Sequence, residues 1–585
     1  MSRILLLLIF LLWLAWTPRP IPGVAAGPRT QTPTTVRSGG EQRVAGAMPP
    51  STPLPVDPKL GVPVFLGFYA FMLIVMRLWS SLLARGVTSD NVDRSLRRFS
   101  MVMLVARLMV PAWFGIGLYV LGWGGVMTAA FESASRHVPL LRALQLPALL
   151  VGTLPAFIAW VGLWWSQYPA DHSLREHNLL DQLESGQPVY APPTFREYFA
   201  GNLRLQVLFT VVPVIAILLL RDVLFLAIRP FVARGSNVSG AIDFGVMAGS
   251  TALVFLFAPE LLRRVLKTQP LPDSPLRRRL EQMCRRVGMR YRDILLWHTQ
   301  NNMGNAAVMG ILPPVRYILL SDLLLERMDD EQIEAVFAHE VGHVVHRHMA
   351  WYVVVIMIFT LGLVSLEQVV RKVEPVNAAL QGLPQDVLEV LSVVAPLAGF
   401  LLFFGFLSRR FERQADVYAA RTMEESKGRV QGSGCRVRGG AGESPSTSGE
   451  SAALSPPSTE PPTLNPEPSA QPRNLNPESS VVGPYGATVF ASALHRVAVM
   501  NNIPLVPRRR PRRGLFRRMG HSVDMSVETI RNWFHGSVPH RMAYLRSLST
   551  DPSLTHRFDR FMVKLYCTLL FVLFASAAFV FASSI

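Results

Sequence analysis

Three residues carry the clearest chemical meaning: His339, Glu340 and His343, in the run Phe337-Ala338-His339-Glu340-Val341-Gly342-His343. A helix turns once in about 3.6 residues, so histidines four apart leave one face and can both reach a single metal ion. The Glu beside the first His can take a proton from the water that such an ion activates. The spacing arises by accident in roughly one to two per cent of chains with this His and Glu content, so it does not decide the matter alone. A catalytic zinc needs three protein ligands and one open position, and the third ligand is the test.

The extension HExxHxxGxxH fails here, because His346 stands at its Gly position and Met349 at its last His position. A carboxylate from a second helix remains. Residues 408–420, Ser-Arg-Arg-Phe-Glu-Arg-Gln-Ala-Asp-Val-Tyr-Ala-Ala, read as a helix with Glu412 and Asp416 one turn apart. Glu412 can complete a triad for one zinc ion per chain. Asp416, from the next turn, can accept a hydrogen bond from a ligand histidine and fix its tautomer.

The motif itself reads as a helix. Asp329 can cap it with Gln332 three residues on, while Ile333, Val336, Phe337 and Val341 supply packing and no proline falls between 329 and 350. Asp329, Asp330, Glu331 and Glu334 precede the motif and Arg347 follows it, a charge density that belongs at a membrane edge. An intramembrane protease would carry HExxH inside a spanning helix and a second Asp-Gly motif, and the chain has no Asp-Gly pair.

Half of the 585 residues are hydrophobic and only 17% are charged, against about a quarter in soluble proteins. The net charge of +18 fits loops obeying the positive-inside rule; with no helix-turn-helix, zinc-finger or RNP pattern, nucleic-acid binding is not expected. Arg outnumbers Lys heavily, a bias of GC-rich genomes that points to a bacterium. Cys284, Cys435 and Cys567 are scattered and read as unrelated free thiols.

The predicted fold class is mainly α: polytopic transmembrane helices plus a cytoplasmic α+β zincin-like metallopeptidase domain with a small sheet. Residues 1–26 read as a signal peptide cleaved near Ala26, or as an uncleaved anchor, and 27–58 as a disordered Pro/Thr/Ser-rich linker. The region 59–262 holds about five spans, near 61–83, 108–129, 146–166, 205–228 and 244–262, the fourth weakened by Arg221 and Asp222. The peptidase domain occupies 263–350 and 409–560, split by a transmembrane hairpin at 351–408 (spans 351–369 and 390–408) and by a disordered insertion at 427–483. The segment 561–585 is a last membrane helix, spanning near 564–583. Basic loops after the first span (Arg85, Arg94, Arg97, Arg98) and after the fifth (from Arg263) put the peptidase domain in the cytoplasm.

The two motifs together, AHEVGHVVHRH at 338–348 and SRRFERQADVYAA at 408–420 with two membrane segments between, resemble the HtpX and type I CAAX prenyl protease family of integral-membrane zinc metallopeptidases (gluzincins). Asn305-Ala306-Ala307-Val308-Met309-Gly310 and Tyr317-Ile318-Leu319-Leu320-Ser321-Asp322 also match its pattern. The resemblance implies His339, His343 and Glu412 as the metal triad, Glu340 as catalytic base and Asp416 as the supporting carboxylate. It further nominates Asn305 for pairing with substrate backbone. Near the C-terminus the family has a His-Pro element and then an Arg. Here Trp533-Phe534-His535-Gly536-Ser537-Val538-Pro539-His540-Arg541 lacks the His-Pro pair, with His535 as its substitute, Arg541 at the Arg position, and a surface loop as the alternative.

The activity so implied is peptide hydrolysis in or at a membrane, with polypeptide substrates, membrane proteins among them, and the lipid bilayer as partners. Oligomeric state does not follow from the sequence. Quality control of membrane proteins in a bacterial inner membrane competes with CAAX-type processing, and a non-enzymatic scaffold or transporter is the remaining class. His346 and His348 read as neighbours of the bilayer or of a ligand, and the basic run Arg508–Arg513 as a contact with anionic lipid.

Overall fold

The computed structural model describes residues 2–15, 56–184, 191–231, 238–299, 303–434, 481–501, 503 and 535–584. Most of the 27–58 linker and of the 427–483 insertion, the cleavage site near Ala26 and the basic run after Arg508 lie outside these residues.

Among the described residues, eight helices are long and apolar enough to cross a membrane: Pro58–Arg85, Arg94–Tyr119, Leu146–His177, Phe195–Ile228, Gly245–Val265, His348–Val370, Val390–Lys427 and Pro552–Ala582. The chain is an integral membrane protein built mainly of helices. The second span departs from the sequence expectation of 108–129. Its helix ends at Tyr119, and the chain turns through Gly122 at φ 80°, a left-handed conformation that glycine adopts without Cβ strain. A separate helix, Trp123–His137, follows. Hydropathy could not find this break, because Leu121 and Trp123 on either side of the turn are themselves apolar. Arg94, Arg97 and Arg98 accordingly sit in the first turns of the second spanning helix instead of in a loop.

The N-terminal helices enclose one core around Phe65, Phe114, Trp160 and Trp164, and the short helix Ser2–Ala15 buries Leu6, Ile9 and Phe10 in it. Arg221 and Asp222 are both buried. Arg221 Nη1 lies 3.0 Å from Asp222 Oδ1, and the same carboxylate accepts the backbone N–H groups of Gln145 and Leu146. The carboxylate thereby satisfies free donors at the start of the helix Leu146–Glu184, and neither charge is left alone in an apolar bundle.

The remaining core belongs to a four-stranded sheet and the helices around it. The strands are β1 (Thr268–Pro270), β2 (Asp293–Trp297), β3 (Ala306–Met309) and β4 (Tyr317–Ser321), in the order β1-β2-β4-β3. β2 and β4 are parallel, with Leu295 opposite Leu319; the β3–β4 pair is antiparallel, with Val308 opposite Ile318. β4 is buried at every position, as its unbroken apolar run requires. Ile318 and Leu320 face the core shared with Phe337, Tyr418 and Phe490. Tyr317 and Leu319 face the other way, onto Leu266, with Leu205 and Phe209 of a spanning helix packed against them. The sheet is thus held between the motif helix and the membrane bundle.

Helix Gln385–Gly434 runs unbroken for 50 residues, roughly 75 Å at 1.5 Å per residue. The second arm of the membrane hairpin and the segment carrying Glu412 are one continuous rod.

Candidate metal centre

The motif helix spans Asp330–Val345. Asp329 caps it by accepting the Gln332 N–H at 2.8 Å, while the Gln332 side-chain amide donates to Ser492 on the helix Pro484–Met500. The cap therefore works in one direction, and the glutamine ties the motif helix to its neighbour.

Gly342 lets the long helix approach. A Cβ at this position would lie 3.1 Å from Tyr418 Cδ1 and 3.2 Å from Ala415 Cα, so the second helix sits almost on the backbone of the first. That closeness carries Glu412 to the histidines. Nε2 of His343 lies 3.2 Å from Nε2 of His339; Glu412 Oε2 lies 3.6 Å from the latter and Oε1 lies 3.8 Å from the former. Donors about 2.0–2.1 Å from a tetrahedral ion stand roughly 3.3 Å apart, so two imidazole nitrogens at 3.2 Å with the Glu412 carboxylate beside both suit one zinc. Two imidazoles and a carboxylate are also a donor set that zinc accepts. The three ligand atoms fall within 4.8 Å of one another, and His339 and Glu412 are buried.

Around the triangle lies a second set of contacts. Asp416 Oδ1 is 3.0 Å from His339 Nδ1, more a charge contact than an aligned hydrogen bond, and Arg541 grips Asp416 with two N–H groups. Arg541 Nη1 is also 3.6 Å from Glu412 Oε2. His535, exposed at a turn whose Gly536 has φ 75°, places Nδ1 2.9 Å from Glu412 Oε1. Glu340 accepts the backbone N–H of Val308 at 3.2 Å, which joins the motif helix to β3.

Burial disfavours a charged His339 ring, yet the carboxylates of Asp416 and Glu412 outweigh it and lift its pKa to about 9. Burial and then the neighbouring His339 charge push His343 down to about 4. The Glu340 carboxyl is raised, first by burial. The Glu412 charge raises His535, and for Arg541 the pull of Asp416 overcomes burial and raises it as well.

β3 is an edge strand. The Ser321 N–H donates to the Asn305 carbonyl at 3.0 Å, and Asn305 N–H donates to Ser321 Oγ at 2.8 Å. Antiparallel pairs alternate, so the backbone groups of Ala306 and Val308 point off the sheet while those of Asn305 turn toward β4. What Asn305 can offer a substrate is its exposed side chain.

The structure therefore brings Glu412, Asp416, His535 and Arg541 to the two histidines and leaves Asn305 at the mouth of the edge strand. One contact had no signal in the sequence, the Val308 N–H on Glu340; His348, which the sequence left between the bilayer and a ligand, places its Nδ1 2.8 Å from Nδ1 of His343. His346 turns instead toward His348 and Tyr418.

A family model described as peptidase family M48 matches residues 270–468. A protease HtpX homolog of Aeropyrum pernix is 31% identical over 115 residues, 19% of this chain and 35% of that protein. A CAAX prenyl protease 1 homolog of Arabidopsis thaliana is 26% identical over 212 residues, 32% of this chain and 50% of that protein. Protease HtpX of Legionella pneumophila is 28% identical over 193 residues, 30% of this chain and 68% of that protein. The chain spans half or less of the length of the first two. Residues 270–468, which contain both the HExxH helix and Glu412, match the model of peptidase family M48, and the chain is similar in sequence to HtpX and CAAX prenyl proteases.

Proposed function

We propose that this chain is a membrane-embedded zinc endopeptidase in which His339, His343 and Glu412 hold the ion and Glu340 is the catalytic base. The observation that carries the reading is the pair of histidine Nε2 atoms 3.2 Å apart, one 3.6 Å and the other 3.8 Å from an oxygen of Glu412, beside Glu340. When bound, zinc polarises the scissile carbonyl and acidifies the attacking water. Glu340 takes the water's proton and returns it to the leaving amine, so one water adds across the cleaved C–N bond. The outward N–H and C=O of Ala306 and the C=O of Val308, whose N–H is held by Glu340, suit an extended substrate segment paired along the edge of β3, which leaves side-chain selection loose. Asn305 lies where such a segment would enter. His535 and Arg541, both near Glu412, are available to the developing oxyanion or to substrate.

Loose selection fits clearance of membrane proteins, and the basic residues at the ends of the first, second and fifth spans fit a domain facing the cytoplasm of a bacterial inner membrane. Two relatives are named CAAX prenyl protease, which keeps processing of a prenylated C-terminus as the second reading. The test pairs Glu340→Gln with Glu412→Ala in purified full-length protein. The first keeps zinc and loses cleavage of an unfolded membrane protein by about 10²–10⁴-fold; the second loses both. Full activity in either variant removes that residue from the mechanism. Faster turnover of a prenylated peptide than of the unfolded protein favours the second reading.

A further inference from the structure

On an uninterrupted helix, residues five apart lie roughly 140° apart around the axis, and His348 would face away from His343. The chain breaks instead. The motif helix stops at Val345, Arg347 takes a left-handed conformation at φ 55° and ψ 35°, and a new helix begins at His348. Side chains other than glycine rarely adopt that backbone geometry. Its result here is that the His348 ring swings back, so that its Nδ1 sits 2.8 Å from Nδ1 of His343.

The other edge of the His348 ring is equally committed. Its Nε2 lies 3.0 Å from Gln414 Oε1, and the Tyr566 hydroxyl donates to the same oxygen at 2.6 Å. The ring is fully buried and stacks on Phe411 at 4.6 Å and 6°. Tyr566, from the C-terminal membrane helix, is itself stacked on Trp351 at 4.3 Å.

These contacts set a direction. Gln414 Oε1 only accepts, so Nε2 of His348 must carry the hydrogen. An imidazole with one hydrogen then offers Nδ1 as an acceptor, and Nδ1 of His343 must be the donor. That leaves the lone pair of His343 on Nε2, the atom that faces His339 and Glu412. The two ligand rings are thus served differently, His339 by the carboxylate of Asp416 and His343 by an uncharged chain.

We propose that His348, Gln414 and Tyr566 are positioning residues that hold His343 with Nε2 toward the metal, making the last membrane helix part of the metal centre. The proposal rests on the metal-centre reading above. Its test uses full-length protein in detergent, stripped by a chelator and titrated with Co(II), whose visible absorption reports ligand geometry. His348→Phe keeps an aromatic ring against Phe411 and removes the acceptor; Gln414→Leu removes the far end of the chain. Both are expected to weaken Co(II) binding on the order of 10–100-fold and to shift the absorption band, Tyr566→Phe doing so less. Gln414→Glu, which keeps an acceptor oxygen, restores most of what Gln414→Leu loses, and this pair decides the matter if His348→Phe fails to fold. Binding within about threefold of wild type and an unchanged band in Gln414→Leu overturn the relay and leave the metal centre standing. Equal losses in the Leu and Glu variants also overturn it, since packing alone would explain them. A wild-type protein that takes up no Co(II) ends both readings.

Discussion

Asp416 and Arg541 stand 125 positions apart and meet in a two-armed ion pair, Arg541 Nε donating to Oδ2 at 2.8 Å and Nη2 to Oδ1 at 2.5 Å. Asp416 is 1% exposed and lies directly behind His339, while the same guanidinium reaches Glu412. One arginine therefore balances the carboxylate that backs one candidate ligand and sits beside the carboxylate that is another.

Removing one partner of such a pair leaves the other charge buried and uncompensated. Asp416→Ala is expected to cost on the order of 3–5 kcal/mol of stability and, through His339, about 10–100-fold in zinc affinity. Asp416→Asn keeps the shape and loses less. Melting in detergent and competitive zinc titration check this, and an Asp416→Ala protein with wild-type zinc affinity would show that the carboxylate does not serve His339.

At Gly342 two effects oppose each other. Alanine gains up to about 1 kcal/mol of helix propensity but must crowd Tyr418 and Ala415, so Gly342→Ala is expected to lie within about 1 kcal/mol of wild type. Gly342→Val adds two methyl groups to the same contact and is expected to destabilise by about 1–3 kcal/mol. Because Glu412 rides on the helix that valine pushes away, zinc affinity should fall in parallel. Loss of stability without loss of zinc would mean that the two helices separate elsewhere.

The domain reading treats 427–483 as an insertion. Its flanks are joined where the Gly486 N–H donates to Glu424 Oε2 at 2.6 Å, and Val482 is buried in the core that contains the motif helix. Replacing residues 435–480 by a Gly/Ser linker of about 20 residues, with a reach of roughly 25 Å, is expected to preserve zinc stoichiometry and cleavage. A replacement that expresses and inserts normally but binds no zinc would give that segment a structural role.

Zinc that binds the folded state alone must also stabilise it. Free zinc at 100 times its dissociation constant should add about 2.7 kcal/mol, seen as a higher melting temperature on adding zinc to chelator-treated protein. Glu412→Ala should show no such rise. An equal rise in both proteins would place the ion elsewhere.

What the sequence determined by itself is local. The spacing of His339 and His343 needs only one turn of helix, and eight apolar segments announce themselves because a bilayer demands about 20 apolar residues each time. Sequence erred where the same reasoning averages over a turn, as at Gly122, and it left His348 between the bilayer and a ligand because nothing in the order of residues reveals that Arg347 will break the helix. Only the tertiary structure decided which remote groups meet: Arg541 with Asp416, His535 with Glu412, Val308 with Glu340, Tyr566 with Gln414. Each of these contacts depends on how close and at what rotation whole helices pack, which is set by side chains such as Gly342 and Phe411 acting together, and no period along the chain encodes that sum.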